Sequence, residues 1–238
     1  MRVNGAICAS SCVMALIGAP TRKIAPVAKI GVHAHRSSYG DNPKASYTQR
    51  LGLKLYAAQM GADYRFVDVA ENTPPQAMHW MTREEVTRFN IRTEGPFETE
   101  WLTYAEPNTG YFVMKSLTRQ ARSPDGAFET VTLEFGCSFG GGAASLTLRR
   151  VLDAAEARGA TSVQVAADGS TIFDDERRAR LGFDVRSKPL SPEEIRKAAM
   201  ANEIVVTERS EPGIRQTRFS TEGLRTAFPL ALCRPAIE

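Results

Sequence analysis

The sequence predicts an α/β domain over residues 1–93, followed by a strand-rich α+β domain over residues 94–238. In the first part, apolar residues recur at helical spacing, most clearly between residues 45 and 60. In the second part, segments of alternating polarity rich in Thr, Val and Phe predominate, which is typical of half-buried strands. Glycine and proline punctuate the interval from 93 to 108, so we expect the domain boundary there.

Composition excludes several classes of protein. The chain has 238 residues and a net charge of +3, and its basic residues are scattered rather than clustered as nucleic-acid binding requires. No run reaches the 18 apolar residues of a membrane-spanning helix. The glycines at 140–142 lack the spacing and the following lysine of a phosphate-binding loop. We therefore expect no nucleic acid, no transmembrane segment, no cofactor and no metal.

The rest of the first domain is organised around its N-terminal stretch. Small residues surround Ser10, the apolar run at 13–17 predicts a short buried helix, and residues 28–33 predict a strand that ends on His33. A serine before an apolar helix is most often an N-cap, and a histidine at a strand end is most often a hydrogen-bonded structural residue. From residue pattern alone, those remain the default interpretations of Ser10 and His33.

Three motifs stand out in this part of the chain: C-A-S-S-C at residues 8–12, P-V-A-K-I-G-V-H at 26–33 and W-M-T-R-E-E-V at 80–86. Together they resemble the Clp protease proteolytic subunit and its relatives in the ClpP/crotonase superfamily. C-A-S-S-C at residues 8–12 is similar to the C-A-S-x-C of the nucleophile segment in the periplasmic, Clp-protease-like proteins of Gram-negative bacteria. P-V-A-K-I-G-V-H at 26–33 is similar to their general-base segment, and the spacing of 23 residues from Ser10 to His33 fits. W-M-T-R-E-E-V at 80–86 is similar to the helix start that closes the domain.

The resemblance implies a serine hydrolase, of peptidase type, that acts on a peptide or protein. Ser10 would be the nucleophile, His33 the general base, and the backbone N–H of Ser11 one donor of the oxyanion hole. It also implies a periplasmic location, with the cytoplasm as the alternative, and allows a homo-oligomer. Family members carry a half-domain before the nucleophile, whereas nine residues precede Ser10 here. We expect an N-terminally incomplete chain, either a fragment or one with its start assigned too late; loss of the front half is the alternative.

The sequence departs from the family at the acid of the triad. Aligned on the helix start, the position of the family's aspartate is occupied by Met78, which cannot orient an imidazole. Asp68, Glu71 and Asn72 lie upstream and could substitute, although a solvated helix face is the more ordinary role for the two acids. This departure keeps open a second hypothesis, a non-catalytic relative that acts as an envelope binding or scaffold protein.

His35 competes with His33 for the role of base. The two histidines are two residues apart, so on an extended strand both side chains point to the same side. The spacing from Ser10 favours His33. We expect His33 to lie within hydrogen-bonding or one-water reach of Ser10, and His35 to lie further away.

The four cysteines predict up to two disulfides. Cys8 and Cys12 are four residues apart and would share a face of a helix, as an intrahelical disulfide or as two buried thiols. Cys137 and Cys233 would suit a disulfide that holds the C-terminal tail, with two unrelated buried thiols as the alternative.

The second domain contains no histidine and no recognisable catalytic group. Its patterns predict strands around 111–117, 128–135, 161–165, 204–208 and 215–219 and a final helix at 224–232. Ser191 and Pro192 predict the start of another helix. We expect a binding, capping or assembly module.

Overall fold

The structure, a computed structural model, describes residues 2–3, 6–19, 21–35, 43–106, 109–121, 128–139, 143–151, 162–176, 183–210 and 213–227. The secondary-structure elements are, in chain order, β1 (Arg2–Val3), β2 (Ile7–Ala9), α1 (Ser11–Ile17), β3 (Lys23–Ile24), β4 (Lys29–Val32), α2 (Pro43–Gln59), α3 (Arg65–Glu71), β5 (His79–Trp80), α4 (Arg83–Arg88), β6 (Phe97–Glu98), β7 (Leu102–Glu106), β8 (Gly110–Gln120), β9 (Phe128–Ser138), β10 (Ala144–Val151), β11 (Ser162–Ala167), β12 (Ser170–Asp175), β13 (Phe183–Leu190), α5 (Pro192–Met200), β14 (Glu203–Ser210), β15 (Gly213–Ser220) and α6 (Leu224–Ala227).

The chain forms two compact units. The first comprises Met1–Thr99 with Ser116–Thr130, and the second comprises Glu100–Lys115 with Val131–Glu238. Helices and strands occur in both, so the predicted mixed α/β class is confirmed. The finer expectations, a ClpP-like arrangement of the first part and a single domain boundary after residue 93, stay predictions.

The first unit is built on a three-stranded sheet in the order β2-β4-β5. β2 and β4 are parallel, with Cys8 opposite Ile30, while β4 and β5 are antiparallel, with Gly31 opposite Trp80. Parallel neighbours need a crossover, and α1 lies in the segment between them. The sheet therefore brings the C-terminal ends of β2 and β4 to the same edge.

Apolar side chains of the helices cover this sheet. Val13, Leu16 and Ile17 of α1 and Phe66 and Val67 of α3 are fully buried in one cluster with the strand residues. α4 begins with a capping box, in which Thr82 accepts from the Glu85 N–H and Glu85 accepts from the Thr82 N–H. A helix thus starts within residues 80–86, where the sequence resembles a helix start.

Arg22 is a fully buried cation inside the first unit. Its guanidinium donates to the carbonyl oxygens of Ile17, Ala19 and Met60, and also to that of Asn90. Ile17 is the last residue of α1 and Ala19 lies just after it, while Met60 follows α2 and Asn90 lies just after α4. Helix C-termini leave backbone oxygens without partners within the helix. Burial lowers the pKa of Arg22 to about 10. Arg22 therefore joins three helix ends through hydrogen bonds.

Two antiparallel sheets dominate the second unit. One has the order β12-β11-β14-β15, and buried and partly exposed residues alternate along β11 as a half-buried strand requires. The other contains β13, β10, β9 and β8 in that order, with β7 also paired to β8. β8 and β9 contribute residues to both units.

A buried ionic cluster joins strands of the two sheets within the second unit. Arg150 of β10 donates to Asp184 of β13 at 2.6 Å and also to Glu208 of β14. Arg186 donates to the same Asp184 oxygen at 2.9 Å. Burial would raise the pKa of Asp184, but the two guanidinium groups hold it below its usual value. Each charged group of the cluster has a partner of opposite charge within it, which is the character of structural packing.

Several expected elements are confirmed. They include the helix predicted at 45–60, found as α2, the helix after Ser191, found as α5, and the predicted strands found as β8, β9, β11, β14 and β15. β7, β12 and β13 were not predicted. In β13 the buried residues Asp184 and Arg186 belong to the ionic cluster, so the strand lacks an apolar alternation. The glycine run at 140–142 and the end of the helix predicted at 224–232 lie outside the described residues.

Within the described part of the chain, no helix combines the length and the apolar character needed to cross a bilayer.

Candidate functional site

Ser10 occupies a sharp turn between strand and helix. It follows β2 directly and precedes α1, and its backbone has φ 57° and ψ −126°. That conformation is left-handed and rare for a residue with a side chain, and costs on the order of 1–3 kcal/mol. Such outliers concentrate at functional sites, and a strained turn of this kind is how many hydrolases expose a nucleophilic serine.

Backbone hydrogen bonds hold the turn from both sides. The Ser10 N–H donates to the Gly31 carbonyl oxygen at 2.9 Å, and the Ser10 carbonyl oxygen accepts from the Val13 N–H at 3.0 Å. The Ser10 hydroxyl makes no capping hydrogen bond to α1. The ordinary role of a serine at this position, an N-cap through its side chain, is therefore not the one found here.

Met78 packs beside this turn. A Cβ atom placed on Gly31 would lie 2.7 Å from the Met78 sulfur and 2.8 Å from a ring carbon of Trp80, so any larger residue at position 31 would require these side chains to move. The methionine thus contacts the strand residue that accepts the Ser10 N–H. Its role is apolar packing, and it offers a histidine no carboxylate.

A disulfide joins Cys8 and Cys12, whose Cα atoms are 5.3 Å apart. Cys8 lies in β2 and Cys12 in α1, so the bond is not intrahelical. The expectation of a shared helix face was wrong because the chain turns sharply at Ser10, between the two cysteines. The disulfide therefore encloses Ser10.

His33 follows the last residue of β4, as the sequence predicted. Its Nδ1 lies 2.7 Å from the carbonyl oxygen of Ala34. A carbonyl oxygen can only accept, so in the neutral ring the proton is on Nδ1 and the lone pair is on Nε2. This is the tautomer that a general base for serine needs.

His35 has the carboxylate partner that His33 lacks. Its Nδ1 lies 3.0 Å from Glu71 Oε1, and its Nε2 is buried without a hydrogen-bond partner among the described residues. Both side chains are largely buried, with exposed fractions of 26% for His35 and 16% for Glu71. Glu71 was weighed from the sequence as a substitute acid, but the signal that pairs it with His35 is tertiary and absent from the residue pattern.

The other two residues that could substitute for the triad acid have different roles. Asp68 forms a 2.6 Å ion pair with Lys54, consistent with the solvated helix face expected of it. Asn72 is the C-cap residue of α3, and its backbone N–H bonds to carbonyls of the last turn. Within the described ranges, no hydrogen bond joins the Ser10 hydroxyl to His33 or His35. The assignments of Ser10, Ser11 and His33 stay predictions.

The third histidine of the chain, His79, contacts the start of a helix. His79 Nε2 lies 3.1 Å from Glu85, which is part of the capping box of α4. Burial opposes ionisation of Glu85, but hydrogen bonds from Thr82 and His79 hold the pKa of the carboxyl below its usual value.

A cavity of about 100 Å³ lies beside β3, β4 and α4, and none of Ser10, His33 and His35 lines it. No group of three or more His, Cys, Asp or Glu residues in the described ranges is arranged to hold a metal ion.

Cys137, in β9 of the second unit, is buried and disulfide-bonded. Its expected partner, Cys233, lies outside the described residues, so that pairing stays a prediction.

Comparisons of the chain with protein-family models, with curated proteins and with solved structures found no match.

Proposed function

We propose that the first unit is a serine hydrolase of the peptidase class, with Ser10 as its nucleophile. One observation carries this proposal: a serine with a side chain free of capping bonds adopts φ 57° and ψ −126° at a strand-to-helix turn. Strain of that kind persists only where the surrounding structure enforces it, and its usual use is to present a reactive group.

In the proposed reaction, His33 Nε2 takes the proton from the Ser10 hydroxyl as Oγ attacks the acyl carbon. The backbone N–H of Ser11 donates to the oxyanion that forms. The tetrahedral species then collapses, and His33 returns the proton to the leaving amine. Water then attacks the acyl carbon while His33 Nε2 takes a proton from it. His33 returns that proton to Ser10 Oγ, and the acid product leaves.

The Ala34 carbonyl takes the place of the triad acid in this scheme. It accepts a hydrogen bond from the Nδ1–H of His33 and so selects the tautomer with its lone pair on Nε2. A neutral carbonyl stabilises the imidazolium less than a carboxylate does, so we expect slower turnover than a full triad supports.

The resemblance of residues 8–12, 26–33 and 80–86 to Clp-protease-like proteins supports the peptidase class and a peptide substrate. A periplasmic location is part of the proposal. Its support is the pair of oxidised sites, Cys8–Cys12 and Cys137, because disulfides persist in oxidising compartments and are rare in the cytosol. A homo-oligomer remains an expectation of the resemblance alone.

The test is covalent labelling of the whole chain with a fluorophosphonate probe, followed by peptide mapping. We expect one labelled residue, Ser10, with the label lost in Ser10→Ala and retained in Ser170→Ala, which changes an exposed serine of the second unit. Labelling that survives Ser10→Ala would overturn the assignment.

A second candidate function is a non-catalytic binding or scaffold protein. The observation in its favour is that the carboxylate near the site, Glu71, bonds to His35 rather than to His33. This candidate predicts no labelling of a folded, oxidised chain by the probe at any pH between 6 and 9.

A further inference from the structure

Cys8 and Cys12 flank Ser10 symmetrically, two residues before it and two residues after it. Cys8 is buried in β2 and is paired with Ile30 of the neighbouring strand. Cys12 lies in the first turn of α1 and packs against the core of the unit. Their bond therefore ties the end of the strand to the start of the helix, with the strained residue between them.

Backbone hydrogen bonds and the packing of α1, whose Val13, Leu16 and Ile17 are fully buried, hold this turn. Two backbone hydrogen bonds, to Gly31 and from Val13, flank Ser10, and no side-chain cap anchors the helix. α1 has seven residues, and a helix of that length does not persist by itself. The disulfide therefore adds a covalent restraint on the backbone at Ser10 to these two hydrogen bonds.

We propose that the Cys8–Cys12 disulfide is a positioning device for Ser10. It holds the left-handed backbone that presents the hydroxyl, and its reduction lets the turn relax to a common conformation in which the hydroxyl reacts more slowly. The proposal rests on the proposed role of Ser10 as nucleophile, but its conformational half can be tested without activity.

Reduction of this bond is a balanced exchange. A dithiol gives up two electrons and two protons, the S–S bond breaks, Cys8 and Cys12 become thiols, and the dithiol becomes a disulfide. Reactivity at Ser10 would thereby follow the thiol–disulfide state of the surroundings.

A stability cycle tests the conformational half. Ser10→Gly is made in the native chain and in the Cys8→Ala/Cys12→Ala chain, and thermal midpoints are compared. Glycine adopts a positive φ without cost, so we expect it to raise the native midpoint by about 2–6 °C. In the chain without the disulfide, where serine has already relaxed, we expect less than half of that gain.

Ala15→Gly is the matched control, because Ala15 is an exposed residue of the same helix. It should lower the midpoint equally in both backgrounds. Equal gains from Ser10→Gly in the two backgrounds would overturn the proposal.

Labelling rates test the functional half. With the fluorophosphonate probe we expect Ser10 to react at least tenfold more slowly after treatment with dithiothreitol. The Cys8→Ala/Cys12→Ala chain should be as slow without reductant and insensitive to it, which separates this bond from the disulfide at Cys137. A double variant that reacts at the native rate would contradict the proposal. If no chain reacts, the proposed function fails, and the stability cycle alone decides the role of the bond.

Discussion

His33 and His35 are two residues apart in sequence and have different partners. His33 Nδ1 bonds to a backbone carbonyl, whereas His35 Nδ1 bonds to the carboxylate of Glu71. In both neutral rings the Nδ1 proton is held by an oxygen and the lone pair is on Nε2, which in His35 is buried. The choice between them depends on distance to Ser10, which the sequence spacing assigns to His33.

We predict that His33→Gln slows fluorophosphonate labelling of Ser10 by about 100-fold or more, because general-base catalysis contributes about 10²–10⁴-fold. His35→Gln should slow it by less than about tenfold. His79→Gln, which changes the side chain that contacts Glu85 at the start of α4, is the control. A larger loss in His35→Gln than in His33→Gln would transfer the base role to His35 and the acid role to Glu71.

Arg22 carries a second prediction at the scale of the residue. Arg22→Met removes the donor from four carbonyl oxygens, two in buried and two in partly buried hydrogen bonds. We expect the free energy of unfolding to fall by about 3 kcal/mol or more, since hydrogen bonds to charged groups contribute about 1.5–3 kcal/mol each. Chemical denaturation measures this, with the exposed Arg196→Met as control. A loss below about 1 kcal/mol would show that the helix ends do not depend on Arg22.

At the scale of the element, helix starts in this chain are the features best encoded locally. α4 and α5 both begin with a complete capping box, with Thr82 and Ser191 as the N-cap residues. In α5 the carboxyl of Glu194 accepts from the Ser191 N–H, and Lys188 lies 3.3 Å away. The hydrogen bond from Ser191 is the main reason that the pKa of Glu194 is lowered, and burial opposes it.

We predict that Glu194→Gln lowers the free energy of unfolding at pH 7 by about 0.3–1 kcal/mol, because glutamine keeps the hydrogen bond but loses the charge at the helix start. The folded pKa lies below the ordinary value of 4.5, so the contribution is complete above pH 4.5 and is lost as pH falls through the folded value. The difference in the free energy of unfolding between the variant and the native chain should therefore narrow as the pH falls below 4.5. A difference of constant size as the pH falls would contradict the assignment.

At the scale of the whole molecule, two compact units each have a core of their own. The first unit buries Phe66 and its neighbours around the β2-β4-β5 sheet, and the second buries an ionic cluster around Arg150. Separate cores predict separate cooperative unfolding.

We predict two transitions in calorimetry. Phe66→Ala should lower the midpoint of one, since it opens a cavity in a fully buried core at a cost of about 3–5 kcal/mol. Asp184→Asn should lower the other, because the buried cluster of Arg150, Arg186 and Glu208 then carries one positive charge in excess, at a cost of about 3–5 kcal/mol. A single transition shifted by both variants would contradict independent units.

The disulfide of Cys137 provides a further prediction. Digestion without reductant should release the peptide of Cys137 linked to that of Cys233, a pair that closes a loop of about 97 residues. Such closure contributes about 4–5 kcal/mol by the chain-entropy argument, so reduction should lower the stability of the chain. Recovery of Cys233 as a free thiol from an oxidised sample would contradict the pairing.

The sequence by itself determined the features that depend on neighbouring residues. Helix caps at Thr82 and Ser191, the strand that ends before His33 and the alternating strands of the second half follow from local hydrogen bonding and periodicity. Tertiary structure decided the features that depend on distant partners. A positive φ at Ser10 requires the sheet and the helix on either side of it, and the Cys8–Cys12 bond requires that turn. Tertiary structure likewise decided the pairing of His35 with Glu71 and the burial of Arg186 in β13. No local pattern encodes these contacts, because a polar residue is predicted to be exposed unless its buried partner is known.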